Sequence, residues 1–251
     1  MRRSDQTFAA SSCSAAHPLL EELIVEGSFG DATEVTLRVG ASSHERMVLT
    51  NGSRQSVQVP DDVQVVRADN PGDAAIHDEL GGLRWRISAN SFFQTSDSGA
   101  QALIDSVADG LVGAGSLGTV VDLYCGVGLL GGATAGDRLV AAVESNPSSV
   151  ADAEHNLPAD VDVHRARVEH WRPGSYDTVI ADPARRGLAK GGTAVIDKTG
   201  ATTLVLVSCD PASLGRDTAL LAEQGWRYDR GEVIDMFPDT SRIEVVSTFT
   251  R

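Results

Sequence analysis

Cysteine is scarce in this sequence, which contains three in 251 residues. Cys13, Cys125 and Cys209 stand far apart without a Cys-x-x-Cys pair, which argues against a disulfide framework and against a metal or iron–sulfur site built from cysteines. Long apolar runs are also lacking: none approaches the roughly 18 residues of a membrane span, and the N-terminus leads into no apolar signal segment. We therefore expect a protein of the reducing cytoplasm, with no metal, iron–sulfur cluster or membrane partner.

Positive charge is scarce as well. The sequence has 21 Lys and Arg against 35 Asp and Glu, a net charge of −14, and residues 1–90 and 91–251 are both acidic. Proteins that hold nucleic acid by its phosphates carry a basic surface instead. We therefore expect no DNA partner, and binding of RNA would require a local basic patch.

The first part of the chain alternates apolar and polar residues in short runs. Glycine, Asn51-Gly52 and Pro60 separate these runs, which is typical of half-buried antiparallel strands. The predicted strands are Glu34–Val39, Arg46–Leu49 and Ser56–Val59, followed by a hairpin over His77–Ile87. We treat residues 1–90 as a small β-rich subdomain, whose predicted structured part begins near residue 20.

From residue 91 to 251 the pattern changes to alternating strands and helices. Such alternation predicts an α/β fold with a doubly wound, Rossmann-like sheet. The predicted helices are 98–112, 147–157, 193–198 and 212–224. The predicted strands are 119–123, 138–143, 161–168, 178–181, 203–207, 226–233 and 243–250.

The strand Thr203–Val207 is the most apolar of these and stops just before Cys209. Ligands of open α/β sheets bind outside the carboxyl ends of the strands, so a cysteine here is well placed to act as a nucleophile. Cysteine is also among the most frequently buried residues, and packing is the commoner role for a cysteine at the end of such a strand.

A second strand, Val120–Leu123, runs into a glycine turn. Gly126-Val-Gly-Leu-Leu-Gly131 matches the pattern GxGxxG, and Glu144 ends the next strand, where an acidic side chain can bind ribose hydroxyls. The pattern is compatible with binding of NAD and with binding of S-adenosylmethionine, which carries no pyrophosphate. It is also compatible with a turn that binds no ligand.

Five segments together resemble the S-adenosylmethionine-dependent RNA uracil-C5 methyltransferases, which make 5-methyluridine in ribosomal and transfer RNA. The likeness extends from about residue 90 to 251 and is loose before that. The segments are Phe92-Phe-Gln94, Asp122-Leu-Tyr-Cys-Gly-Val-Gly128, Asp182-Pro-Ala-Arg-Arg-Gly187, Ser208-Cys-Asp-Pro-Ala-Ser-Leu-Gly-Arg-Asp217 and Asp235-Met-Phe-Pro-Asp-Thr-Ser-Arg-Ile-Glu244. The last three segments, in this order and spacing, are the specific ones.

The resemblance implies a class I methyltransferase fold and assigns roles to residues. Cys209 would be the nucleophile that adds to C6 of uracil, and Glu244 the base that removes the C5 proton, from a last strand antiparallel to the Thr203 strand. The cofactor S-adenosylmethionine would lie among Gln94, Asp122, Tyr124, Gly126, Gly128, Glu144 and Asp182. We expect Arg185, Arg186 and Arg242 to form the local basic patch that meets RNA.

Three residues depart from the family pattern: Ser96 and Asp210 stand where Asn is usual, and Arg242 stands where His is usual. The N-terminal RNA-binding barrel and the iron–sulfur cysteines of some members also have no counterpart. These departures leave a degenerate member that binds cofactor without catalysis as one alternative, and an NAD-dependent enzyme as another. The retained pair Cys209 and Glu244 favours the active methyltransferase.

Overall fold

The structure is a computed structural model that describes residues 10–13, 16–113, 118–236, 240 and 242–251. Packing divides the chain into two units. One runs to Glu79 and adds Ser88–Asn90, and the other comprises Leu80–Ile87 and Ser91–Arg251. The predicted division into residues 1–90 and 91–251 stays a prediction. Of the described segments, no helix is long and apolar enough to cross a membrane.

The first unit contains a three-stranded sheet. Its elements are α1 (Pro18–Glu26), β1 (Val35–Val39), β2 (Arg46–Thr50), β3 (Val63–Arg67) and most of β4 (Ala75–Leu80). β1 pairs antiparallel with β2, and β2 pairs parallel with β3. Buried Leu23, Val48 and Val63 form its core. Arg46, nearly fully buried, is satisfied by Glu22 of α1 and Asp62.

Two expectations for this unit are wrong. Residues Arg54–Ser56 form a short 3-10 turn, and Gln58 makes only an isolated bridge with Ser28, so Ser56–Val59 is not a strand. Val57 and Val59 still pack against the core, which explains the alternation that suggested one. The third strand is instead β3, parallel rather than antiparallel to its neighbour.

The second unit alternates strands and helices as predicted. Its elements are β5 (Leu83–Ser88, whose last residue belongs to the first unit), α2 (Asp97–Gly113), β6 (Val120–Leu123), α3 (Leu129–Thr134), β7 (Leu139–Glu144), α4 (Pro147–Asn156), β8 (Asp162–Arg165), β9 (Thr178–Ala181), α5 (Ala189–Lys198), β10 (Thr203–Ser208), α6 (Pro211–Glu223), β11 (Arg227–Ile234) and β12 (Glu244–Thr250). Asn146 and Asp210 cap α4 and α6 with their side chains, and a proline follows each cap at the first helical position.

One seven-stranded sheet organises this unit, in the order β11-β12-β10-β9-β6-β7-β8. Strands β6 to β10 run parallel, and β12 runs antiparallel to both β10 and β11, which confirms the predicted doubly wound sheet. All six residues of β10 are buried. Because parallel strands end at one edge, β6, β7, β9 and β10 end where the antiparallel β12 begins. We call this edge the carboxyl edge of the sheet.

Candidate active site

A cavity of about 470 Å³ lies at the carboxyl edge. Nine of the twelve residues singled out from the sequence line it: Gln94, Asp122, Tyr124, Gly126, Glu144, Asp182, Arg185, Cys209 and Glu244. Gly128, Arg186 and Arg242 are not among its lining residues. The segment Asp235–Glu244 is only partly described, because residues 237–239 and 241 lie outside the described chain.

The loop after β6 shapes one wall by an unusual backbone. Tyr124, Gly126 and Gly128 all have positive φ angles, of 63°, 56° and 92°, which only glycine adopts without strain. A Cβ atom on Gly128 would lie 2.8 Å from the side chain of Leu157. Gly128 therefore serves the turn and the packing against Leu157, and its part in cofactor binding stays a prediction.

Tyr124 lines the cavity, but its hydroxyl group turns away into the protein. The hydroxyl would contact a Cβ atom on Gly192 of α5 at 3.0 Å, and the ring packs against the hydrophobic core. Burial raises the pKa of this phenol. Among the described residues the buried hydroxyl oxygen has no hydrogen-bond partner.

Asp122, at the end of β6, presents a buried carboxyl group to the cavity. Its Oδ2 accepts a hydrogen bond from the Gly131 amide at 2.9 Å, whereas its buried Oδ1 has no partner among the described residues. Burial, reinforced by the negative charges of Asp182 and Glu144, raises the pKa of Asp122 to about 7. A buried oxygen without a partner is costly, and a ligand that donates a hydrogen bond would remove this cost.

Gly131, the third glycine of the GxGxxG pattern, is needed for this carboxyl group. A Cβ atom at Gly131 would lie 2.7 Å from Oδ2 of Asp122. Its amide, in the first turn of the six-residue α3, is already used by Asp122. The pattern here therefore builds a carboxyl site and not the pyrophosphate cradle that it forms in dinucleotide-binding folds.

Glu144, at the end of β7, is held rigidly at the cavity wall. Its Oε1 accepts hydrogen bonds from the amides of Ser145 and Asn146 at 2.6 and 2.7 Å, and its Oε2 accepts one from Gly126 at 3.2 Å. Both lone-pair sites of Oε1 are thereby used, whereas Oε2 retains one for a further donor. Ser145, Asn146 and Ser149 also line the cavity and were missed in the sequence, although Asn146-Pro147 is a recognisable helix start.

Cys209 and Glu244 face each other across two paired strands. The antiparallel register of β10 and β12 ends with Ser208 opposite Val245, so the next residues, Cys209 and Glu244, are adjacent. Both line the cavity, as does Asp182 at the end of β9. The strand order thus brings the three groups to one place.

The electrostatics of this group follow from burial among like charges. Burial, aided by the charge of Glu244, raises the pKa of Asp182 to about 7, and burial raises the pKa of Glu244 to about 7 against the opposing charge of Arg185. The pKa of the Cys209 thiol is raised by burial and then by Glu244 and Asp182, while Arg185 lowers it. The cysteine is therefore a thiol at neutral pH.

The side chains that line the cavity include four carboxyl groups and one guanidinium group. The carboxyl groups belong to Asp122, Glu144, Asp182 and Glu244, and Arg185 supplies the guanidinium group. Such a balance favours a ligand that carries positive charge. No group of three His, Cys, Asp or Glu side chains in the described part of the chain is arranged to hold a metal ion.

The side chain of Phe92 lines the cavity and is also exposed to solvent. Phe92 lines the cavity with 66% of its surface exposed, whereas Ser91 before it is fully buried and donates a hydrogen bond to Asp152 of α4. The backbone is thereby fixed immediately before an exposed phenylalanine. Exposed large aromatics at a cavity are typical of surfaces that stack on planar ligands.

No family model matches the sequence. Curated proteins do. A protein of Streptomyces avermitilis named as an uncharacterized RNA methyltransferase is 31% identical over 270 aligned residues, which cover 98% of this chain and 62% of that protein. Another of that name from Chlorobaculum tepidum is 35% identical, with 72% of this chain and 40% of that protein covered. The chain is a homologue of RNA methyltransferases. It spans only part of the length of these two relatives.

Solved structures place this RNA methyltransferase homologue in a known fold. The tRNA (uracil-54, C5)-methyltransferase of Pyrococcus abyssi, solved in complex with S-adenosyl-L-homocysteine, superimposes with a TM-score of 0.69 at 25% identity, covering 86% of this chain and 58% of that one. The second unit has the Rossmann-like fold of class I methyltransferases. The predicted fold class is thereby confirmed.

Proposed function

We propose that this chain transfers a methyl group from S-adenosylmethionine to C5 of a uridine in RNA, through a covalent adduct on Cys209. The observation that carries the proposal is the adjacency of Cys209 and Glu244 in the wall of a cavity lined by carboxyl groups. The named activities of the relatives and of the Pyrococcus neighbour agree with it.

The cavity suits S-adenosylmethionine better than NAD. Carboxyl groups outnumber the one guanidinium group, which favours a sulfonium cation over a pyrophosphate dianion. The Glu144 carboxylate is fixed by three backbone amides, and its Oε2 is placed to accept a hydrogen bond from a ribose hydroxyl. Oδ1 of Asp122 and the carboxyl group of Asp182 remain to face the rest of the cofactor, and Gln94 lines the same cavity.

The reaction needs a nucleophile and a general base that both contact the same uracil ring. Carbon C5 of uracil is a weak nucleophile, and addition of the Cys209 sulfur to C6 makes it enolate-like. The bound cofactor supplies an electrophilic methyl group to C5. Glu244 then takes the C5 proton, the C6–sulfur bond breaks, and the electron pair returns to Cys209.

The first step also requires that Cys209 lose its proton. Because the pKa of the thiol is raised, little thiolate exists before attack. Glu244 and Asp182 are the neighbouring carboxyl groups whose charges act on Cys209, and both have pKa values near 7. A carboxylate of that pKa is a competent base near neutral pH.

We propose that the RNA is met by the edge of the cavity that carries Arg185, with Phe92 as a stacking surface for a base. Arg186 and Arg242, both exposed and outside the cavity lining, would contact phosphates farther along the strand. Ribosomal and transfer RNA both supply suitable uridines, and the chemistry does not distinguish them.

Nucleoside analysis tests the proposal. Wild-type protein and Cys209→Ala are incubated with labelled S-adenosylmethionine and total RNA, and the RNA is digested to nucleosides for mass spectrometry. We expect labelled 5-methyluridine from the wild type and none from Cys209→Ala. Label in another nucleoside, or 5-methyluridine from both proteins, would contradict the proposal. Calorimetry with S-adenosylhomocysteine and with NAD tests the cofactor separately, since only the former should bind.

A further inference from the structure

The loop between β9 and α5, Asp182–Leu188, is held by helix α6. Oγ of Ser213 donates a hydrogen bond to the Arg185 carbonyl at 2.8 Å, and the Arg216 guanidinium donates one to the Arg186 carbonyl. Asp217 accepts from the Leu188 amide at 2.7 Å. Three residues of α6 therefore bind consecutive parts of one loop.

Asp217 is the centre of this arrangement. It is fully buried, accepts a second amide bond from Ala189 at 3.0 Å, and has Arg216 as its cationic partner at 3.3 Å. Gly187 has φ of +69°, and a Cβ atom there would lie 2.1 Å from Oδ2 of Asp217. The loop therefore approaches the carboxylate so closely that only glycine fits at position 187.

The same helix is fixed to the end of β10. Asp210, directly after Cys209, caps α6 by accepting a hydrogen bond from the Ser213 amide at 2.8 Å. Ser213 thus touches both the residue after Cys209 and the carbonyl of Arg185. The segments that carry Cys209 and Arg185 are therefore both hydrogen-bonded to the N-terminal turn of α6.

We infer that Ser213, Arg216 and Asp217, which we call the α6 clamp, are positioning residues that hold Arg185 beside Cys209 and Glu244. The inference rests on the proposed function for the role of Cys209, but the arrangement itself is a matter of hydrogen bonds. None of the three clamp residues lines the cavity, so each acts through the loop.

Arg185 matters because the groups around Cys209 are otherwise acidic. The charged groups that act on the thiol are Glu244 from β12, Asp182 from the end of β9, and Arg185 from the loop. If the part of the loop that carries Arg185 moves away, Glu244 of β12 stays in place and the compensating cation is lost. The Cys209 thiolate then becomes harder to form, and its alkylation slows, because only the thiolate reacts.

The test measures alkylation of Cys209 by iodoacetamide at pH 8, followed by peptide mass spectrometry, in protein without RNA or cofactor. Asp217→Asn keeps the size of the side chain but removes one acceptor and the charge that binds Arg216. We expect alkylation of Cys209 to slow by about three- to tenfold, the effect of roughly half to one unit in the thiol pKa. Arg185→Gln should have a similar effect, and Asp217→Asn should add nothing in that background.

Asp197→Asn is the matched control, because it removes an ion pair with Arg251 at the other end of α5. Its alkylation rate should equal that of the wild type. If Asp217→Asn does not fold, Ser213→Ala, which loses the bond to the Arg185 carbonyl, carries the same expectation. A wild-type alkylation rate in the clamp variant, or a loss that is additive with Arg185→Gln, would overturn the inference. Failure of the wild type to methylate RNA would overturn the proposed function alone.

Discussion

Cys209 and Glu244 stand next to each other as the first residues beyond the Ser208–Val245 pair of the β10–β12 ladder. One follows a parallel strand and the other opens an antiparallel strand, so both reach the carboxyl edge although 35 positions separate them in the chain. The proposed nucleophile and the proposed base are thereby placed by the register of the sheet, which favours precise geometry at the cavity.

We predict that the affinity for S-adenosylmethionine falls as the pH falls from 8 to 6. Asp122, Asp182 and Glu244 have pKa values raised to about 7, and their ionised forms attract the sulfonium cation, so protonation below pH 7 weakens binding. S-adenosylhomocysteine has the same amino acid and nucleoside but no sulfonium charge. Calorimetry should show a decline about tenfold larger for S-adenosylmethionine. Parallel pH profiles for the two compounds would contradict this explanation.

Glu144 should contribute strongly to cofactor affinity. In Glu144→Ala the ribose hydroxyls lose their acceptor, and the Gly126 amide loses its partner. We expect binding of S-adenosylhomocysteine to weaken by about 1–3 kcal/mol, measured by calorimetry. Glu144→Gln retains one acceptor oxygen, so its affinity for S-adenosylhomocysteine should lie between those of the wild type and Glu144→Ala. Unchanged affinity in the alanine variant would remove Glu144 from the cofactor site.

Asp122 should destabilise the ligand-free protein at high pH. Its folded pKa of about 7 lies above the usual 3.8, so stability present below pH 4 is lost as the pH rises through 7. Asp122→Asn cannot ionise and escapes this loss. The free energy of unfolding of the variant, relative to the wild type, should therefore rise by roughly 4 kcal/mol between pH 4 and pH 8. Urea titrations at both pH values provide the measurement, and a difference that does not change with pH would show that Asp122 is ionised in the folded protein.

Arg185 and Arg186 should give RNA binding a salt dependence that the acidic remainder of the chain does not provide. Loss of each phosphate contact should reduce the slope of log affinity against log salt by about 1. The comparison is between wild type and the double alanine variant, by fluorescence anisotropy with a labelled single-stranded RNA. Arg227→Ala, on the exposed edge strand β11, is the control and should keep the wild-type slope. An unchanged slope in the double variant would exclude these arginines from the RNA contact.

The sheet could be predicted from sequence because its strands carry strong local signals. The buried run Thr203–Val207, the glycine loop after Leu123 and the capping pairs Asn146-Pro147 and Asp210-Pro211 each specify structure over a few residues. The strands of the first unit carry weaker local signals and were harder to predict. β3 follows Pro60-Asp-Asp, a sequence typical of a loop. Its conformation depends on pairing with β2, so tertiary packing rather than local sequence makes it a strand.

Side-chain orientation is what the sequence could not specify. Tyr124 and Gly128 belong to a cofactor-loop pattern, yet the hydroxyl of one lies against Gly192 and the other is pressed on Leu157. Asp217 carried no visible signal beyond its place in a family segment, because its partners at Leu188 and Ala189 lie 28 or more positions away. Such contacts depend on how helices pack on the sheet.

The most direct measurement of the central claim compares wild type, Cys209→Ala and Glu244→Gln on denaturing gels, using labelled S-adenosylmethionine and total RNA. Glu244→Gln keeps the shape of the side chain and removes the base, which typically costs about 10²–10⁴ in rate. Methyl transfer should then occur while release of the adduct is blocked. We expect label that migrates with protein in Glu244→Gln and in neither of the other two. Full turnover by Cys209→Ala would contradict the account and leave Cys209 as a packing residue at the end of β10.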